Sequence, residues 1–154
     1  MTDVPQPRTR ANRAGHAPHT LRNGARRARS HRGRPDTRLA LTRTVSHGSL
    51  VLAVKGEIDL ANRDRFEATV REELSARAPR DRVVLDFSGV DFVDSSGVHA
   101  LVGLVRKADA LRVQVRIAGA TPWVTRIFRL TGLDIRFPVH RSLEQALAAF
   151  VPGP

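Results

Sequence analysis

An apolar segment that leads into an amphipathic helix constrains the fold of this chain more than any other feature. Residues 83–87 are apolar at nearly every position, which is typical of a central strand buried on both faces. Beyond that strand, apolar residues recur at the i, i+3, i+4, i+7 spacing of one helix face, at Val98, Leu101, Val102 and Val105. The pattern predicts a helix over about 95–109, and a strand followed by a helix favours a right-handed crossover to a parallel neighbour.

Periodicity and turn residues predict further elements on both sides of this unit. They are strands over 39–45 and 50–54, a helix over about 60–77, a strand over 113–117, a helix from Thr121-Pro122 to Gly132, a strand over Ile135–Val139, and a helix over 143–150. The predicted order is β-β-α-β-α-β-α-β-α. We therefore expect an α/β fold with a mixed sheet, in which the first two strands can pair antiparallel and the later strands pair in parallel.

The net charge of the chain is concentrated at its N-terminus. Residues 1–38 contain ten Arg and two Asp, so they carry +8 of the total charge of +11. Because this stretch has almost no large apolar residue, we expect a disordered basic extension at 1–38 and a folded domain at 39–150. Three interpretations of the extension stay open: weak attraction to nucleic acid or an anionic membrane surface, a solvated segment, or a misassigned start codon with a natural start near residues 36–45.

The sequence offers little to catalysis or metal binding. It has no Cys, no phosphate-binding Gly-x-x-x-x-Gly-Lys loop, and no His or carboxylate cluster with metal-ligand spacing. Ser95 has Asp94 beside it and His99 four residues on, but His99 lies on the same predicted helix and no Gly-x-Ser-x-Gly elbow is present. We therefore expect no enzyme activity, no cofactor and no metal. No apolar run reaches the roughly 18 residues of a membrane span, so we expect a cytoplasmic protein that does not bind a membrane.

The turn Asp94-Ser95-Ser96-Gly97 has two interpretations. Asp and Ser side chains cap helix N-termini because their oxygens accept hydrogen bonds from the free N–H groups of the first turn. The same N–H groups and the helix dipole also favour negative charge, so a serine here can carry a phosphate with little strain. For an arbitrary sequence the structural cap is the more common of the two, and other segments are needed to decide.

Four segments taken together resemble the STAS domain of bacterial anti-sigma factor antagonists. They are residues 56–59 (Gly-Glu-Ile-Asp), 83–90, 92–97 and 130–134 (Leu-Thr-Gly-Leu-Asp). The resemblance covers about residues 39–150 and rests on all four segments in the right order, since each one alone is short. It implies the fold of that family, a STAS-like mixed β-sheet with helices packed mainly on one side.

The resemblance also implies a function in transcription regulation by partner switching. In that family the antagonist binds an anti-sigma factor, usually a serine kinase, and so frees the sigma factor. The kinase phosphorylates the first Ser of the Asp-Ser-Ser-Gly motif, and a serine phosphatase reverses the reaction. By motif position the phosphorylated residue is Ser95, and we expect the partner to be bound by Asp59, Asp94, Ser96, Gly97 and Val98. The basic extension and His99, where many relatives have Gly, depart from the family pattern.

Two other functions stay open at this point. The chain could be a STAS scaffold module in a larger signalling or transport-associated complex, or a nucleic-acid binder that works through the Arg-rich extension. Residues 1–38 contain no aromatic side chain that could stack on bases, and we expect no nucleic-acid partner. Deletion of residues 1–38 distinguishes the two binding modes, because an antagonist keeps its activity and a nucleic-acid binder loses it.

The division at residue 38 can be tested by limited proteolysis. We expect trypsin to cut rapidly at the many Arg residues before about residue 38 and to leave a resistant core, because the extension lacks the apolar residues that a fold must bury. Mass spectrometry of the fragments over time gives the boundary. An extension protected from trypsin to the same degree as the core would contradict this division.

Overall fold

The structure is a computed structural model that describes residues 39–150, in which five strands form one mixed sheet. The strands are β1 (Leu39–Ser46), β2 (Ser49–Ile58), β3 (Arg82–Val93), β4 (Gln114–Ala118) and β5 (Val139–His140). They lie in the order β1-β2-β3-β4-β5; β1 and β2 are antiparallel, and the other neighbours are parallel. The basic extension expected at 1–38 lies outside the described residues.

Helices cover both faces of the sheet, but unequally. They are α1 (Arg63–Ser75), α2 (Ser95–Leu111), α3 (Pro122–Thr131), α4 (Leu133–Arg136) and α5 (Leu143–Ala148). The first four contribute to one large apolar core, whereas α5 packs on the opposite face in a small cluster with Val51, Val84, Ala118 and Phe150. The predicted fold class is confirmed. Within residues 39–150, no helix is long and apolar enough to cross a membrane.

Strand β3 lies at the centre of the sheet and is buried on both faces, as expected. Phe87 faces the large core and makes edge-to-face contacts with Phe66 of α1, at a centroid distance of 6.5 Å, and with Phe128 of α3, at 6.1 Å. Val84 faces the α5 cluster. The strand also continues through residues 88–93, beyond the apolar run of residues 83–87. This continuation brings the end of β3 level with the end of β2, where Ile58 pairs with Val93.

The strand expected over Ile135–Val139 is largely wrong, since only Val139 of that range lies in a strand. Gly132 adopts a left-handed conformation with φ of 77°, which ends α3 and turns the chain into the short helix α4. There the N–H of Phe137 donates to the carbonyl of Leu133 at 2.9 Å, so local helical bonds replace the expected ladder. The element order therefore contains one more helix than predicted, and β5 is reduced to two residues at the sheet edge.

The packing of β3 gives a stability prediction. Leu85 is fully buried in the large core, so Leu85→Ala should lower the free energy of unfolding by about 2–5 kcal/mol through lost contacts and a residual cavity. Leu130→Ala is the matched control; Leu130 is 76% exposed, and its truncation should change stability by about 0.5 kcal/mol or less. Urea denaturation of the three proteins measures both values. Equal effects would show that Leu85 does not have the central position described.

Candidate functional site

The turn that precedes α2 is capped by Asp94 and not by a serine. Asp94 has an extended backbone, and its Oδ1 accepts a hydrogen bond from the N–H of Gly97 at 3.0 Å. Ser95 is the first residue of the helix; its side chain is exposed, and within residues 39–150 its hydroxyl makes no hydrogen bond. The interpretation of Ser95 as a structural cap is therefore wrong. Ser96 and Val98 follow it as half-buried residues.

Asp94 also joins this turn to the loop of residues 59–62, which connects β2 to α1. Its Oδ2 accepts from the N–H of Leu60 at 3.2 Å, and its own N–H donates to the carbonyl of Ile58 at 3.1 Å. Strands β2 and β3 are parallel, so their carboxyl ends and the segments that follow them meet at one edge of the sheet. The single Asp94 side chain thus holds two segments together that are 34 residues apart in sequence.

Asp59 shapes the β2–α1 loop from inside, because its side chain is only 3% exposed. One carboxylate oxygen accepts from the N–H of Ala61 at 3.0 Å. Asn62 closes the loop: its Oδ1 accepts from the N–H of Asp59 at 3.0 Å, and its Nδ2 donates to the carbonyl of Glu57 at 2.9 Å. Asn62 was not predicted to belong to the site, and its only sequence signal was its place before α1. That helix begins at Arg63, later than the predicted start near residue 60.

Gly97 allows the first turn of α2 to pack against the ends of β2 and β3. A Cβ atom at this position would lie 2.8 Å from Cγ1 of Val93 and 2.9 Å from both Cγ2 and the carbonyl oxygen of Ile58. These distances are below van der Waals contact, and one of the atoms belongs to the backbone and cannot move alone. The close packing of α2 on the strand ends therefore requires glycine at residue 97. Gly97 lies beneath the surface that carries Ser95.

Ser95 lies at the rim of an apolar cleft of about 340 Å³ between the start of α2 and the outer face of α3. The lining residues are Val93, Asp94, Ser95 and Val98 on one side and Ile127, Leu130 and Thr131 on the other. Leu130 contributes most to the exposed apolar surface here, since it is 76% exposed. Of the predicted partner-binding residues, Asp94 and Val98 line the cleft, whereas Ser96 is not part of the lining. Asp59 and Gly97 are buried. Ile127 and Leu130 were not predicted to belong to the site, although Leu130 opens the fourth segment of the resemblance.

The arrangement around Ser95 does not form a nucleophilic or metal-binding constellation. His99 is exposed on the same helix as Ser95, and no hydrogen bond joins the two side chains. In the part of the chain that the structure describes, no three His, Asp or Glu side chains lie close enough together to hold a metal ion. What the geometry offers is an exposed hydroxyl beside an apolar cleft, on a turn that other residues hold in place.

Comparison with known proteins agrees with this arrangement. The STAS domain family matches residues 40–146. The anti-sigma-F factor antagonist RsfA of Mycobacterium tuberculosis is 29% identical over 112 residues, which is 71% of this chain and 88% of RsfA. The crystal structure of an anti-sigma factor antagonist from Mycobacterium paratuberculosis is 27% identical and superposes with a TM-score of 0.65, over 75% of this chain and 96% of that one.

The anti-sigma factor antagonist SpoIIAA has the same fold in two solved forms. Its unphosphorylated form gives a TM-score of 0.57 at 22% identity, over 70% of this chain and 93% of SpoIIAA. Its phosphorylated form gives 0.54 at 21% identity, over 71% of this chain and 97% of that one. The chain belongs to the STAS domain family.

The packing of Gly97 leads to a prediction with an internal control. Gly97→Ala should lower the free energy of unfolding by about 1–3 kcal/mol, because the new methyl group overlaps Ile58 and Val93. Gly103→Ala in the middle of the same helix should be neutral or stabilising by up to about 1 kcal/mol, because Ala is the better helix former. A methyl group at residue 103 comes within 3.0 Å only of the Glu67 carboxylate, whose side chain can move.

Thermal and urea unfolding of the two variants give the comparison. A Gly97→Ala protein as stable as the Gly103→Ala protein would mean that α2 does not pack this closely on the strand ends.

Proposed function

We propose that this protein is an anti-sigma factor antagonist. It binds an anti-sigma factor that is a serine kinase and thereby releases a sigma factor. The kinase transfers the γ-phosphoryl group of ATP to the hydroxyl of Ser95, and the phosphorylated protein dissociates. A serine phosphatase returns it to the binding state. The protein itself is the substrate in this cycle and needs no catalytic residue of its own.

The observation that carries the proposal is the position of Ser95. Its hydroxyl is exposed at the first position of α2, and the capping of that helix is performed by Asp94. A hydroxyl without a structural task can be modified without unfolding the turn. The N–H groups of the first helical turn and the helix dipole accommodate a phosphate at this position.

The apolar cleft supports partner binding at the same place. A kinase that reaches the Ser95 hydroxyl must cover the surface around it, which includes Val98, Ile127 and Leu130. Burial of these side chains by the partner favours the complex by about 25 cal/mol for each Å² of apolar surface removed from water. We therefore add Ile127 and Leu130 to the partner-binding residues Asp94, Ser96 and Val98, with Asp59 and Gly97 in supporting positions.

Phosphorylation would then weaken the complex by local electrostatics. A phosphoserine carries a charge of about −1.5 to −2 at neutral pH, and here it would stand beside the Asp94 carboxylate and the apolar cleft. A partner surface that fits a neutral hydroxyl would have to desolvate this charge without a matching cation. A cost of about 3 kcal/mol reduces affinity more than a hundredfold, which is enough for a switch without refolding.

The relatives support the same function. RsfA and the mycobacterial protein of known structure are both described as anti-sigma factor antagonists, and this chain aligns with most of the length of each. SpoIIAA has been solved in an unphosphorylated and a phosphorylated form. These antagonists match this chain over most of their length, which favours this function over a scaffold module of a larger assembly.

Variants at the two serines test the proposal. Wild-type protein immobilised as bait should capture the anti-sigma factor from an extract of the source cells, and Ser95→Asp should capture less of it. With the captured kinase and ATP, mass spectrometry should find phosphate on Ser95 in wild type and in Ser96→Ala, and none in Ser95→Ala. Ser95→Ala should bind the kinase constitutively, because it retains the cap and lacks only the acceptor.

The stability of Ser95→Ala is the control for folding. Because Asp94 caps the helix, its free energy of unfolding should differ from wild type by about 0.5 kcal/mol or less. Phosphate found only on Ser96, or on neither serine, would contradict the assignment of Ser95.

A further inference from the structure

A second concave site lies on the opposite flank of α3 from the Ser95 cleft. It is a groove of about 390 Å³ at the point where β4 and β5 end. Pro122 and Arg129 line it from α3, and Ala120, Val139, His140 and Arg141 line it from the strand ends. Residues 122 and 129 are seven positions apart on one helix, so the groove extends about 10 Å along α3. In α/β sheets, the carboxyl ends of parallel strands are the usual place for ligands.

The groove is cationic and has no carboxylate in its lining. Arg129 and Arg141 are exposed, and within residues 39–150 neither of them forms an ion pair with Asp or Glu. Other arginines of this domain do have such partners; Arg71, for example, pairs with Glu67. Two guanidinium groups at one groove offer up to ten N–H donors in a planar geometry that suits the oxygens of a phosphate.

His140 completes the polar side of the groove and is held by a residue behind it. Nη1 of Arg116 lies 3.0 Å from Nε2 of His140. Because a guanidinium can only donate, Nε2 is the acceptor and the ring proton is at Nδ1. Burial, and then the charge of Arg116, lower the pKa of His140, which favours the neutral ring with its proton at Nδ1. The carbonyl of His140 is fixed as well, since it accepts from the N–H of Gly119 at 2.9 Å.

We propose that this groove binds a small phosphate ester, with the phosphate between Arg129 and Arg141 and the organic part against Ala120, Pro122 and Val139. The volume is in the range of small-molecule sites and exceeds what a single oxyanion would fill. The apolar lining residues supply a surface for the organic part, and the two arginines supply the charge recognition. The site is separate from the Ser95 cleft, since the two cavities have no lining residue in common.

Binding can be measured by NMR on the full chain at constant ionic strength. Three probes separate the sources of affinity: phenyl phosphate, inorganic phosphate and phenol. Phenyl phosphate should give saturable shifts of the amides of Ala120, Arg129, His140 and Arg141. It should bind about tenfold more tightly than inorganic phosphate, because the ring buries apolar surface, and phenol alone should give no saturable shift.

A matched pair of double variants tests the role of the arginines. Arg129→Gln with Arg141→Gln should weaken phenyl phosphate binding by about tenfold or more. Arg106→Gln with Arg126→Gln removes the same net charge from exposed helical positions that do not line the groove, and its affinity should stay within about twofold of wild type.

Equal weakening in both double variants would overturn the proposal, because it would show only general attraction to a basic protein. Saturable shifts confined to other parts of the domain would overturn it as well. Equal affinity for inorganic phosphate and phenyl phosphate would overturn the assignment to a phosphate ester.

Discussion

The close contact between the first turn of α2 and the ends of β2 and β3 is the constraint on which the rest of the site depends. Gly97 permits this contact because any side chain there would overlap Ile58 and Val93. The Asp94 carboxylate then fixes the turn, since it accepts from the N–H groups of both Gly97 and Leu60. Sheet register, helix start and loop position are thus coupled at one point. This coupling explains why an exposed surface residue such as Ser95 has a defined orientation.

The arrangement separates the structural tasks of the turn from its chemical one. Asp94 caps the helix, and Gly97 leaves the space that the packing needs. Asp59 and Asn62 shape the adjoining loop. The hydroxyl of Ser95 takes part in none of these contacts. A site built in this way can gain and lose a phosphate while the fold beneath it stays the same. In the proposed function, the change in partner affinity would then come from the surface alone, which is the property that a reversible switch needs.

The sequence predicted those parts of the structure that depend on local patterns. The apolar run of residues 83–87 and the spacing from Val98 to Val105 each lie within one short segment. Strand β3 and helix α2 were predicted from these two patterns. The apolar cleft was missed because Ile127 and Leu130 come close to Ser95 only through the packing of α3 against β3. The expected strand at 135–139 was wrong because its apolar residues fit a strand equally well, whereas the reversal at Gly132 directs them into a helical turn. Asn62 acts through backbone groups, and side-chain periodicity does not report such contacts.

Helix α3 lines both the cleft beside Ser95 and the groove of Arg129 and Arg141, and this has a thermodynamic consequence. Ile127 and Leu130 face the cleft beside Ser95, whereas Pro122 and Arg129 face the groove on the other flank. A displacement of this ten-residue helix changes both cavities at once. If occupancy of one site favours a particular position of the helix, the affinity of the other site changes by a factor that is the same in both directions. A phosphate ester bound in the proposed groove would in that case alter the affinity of the cleft beside Ser95, with one short helix as the common element.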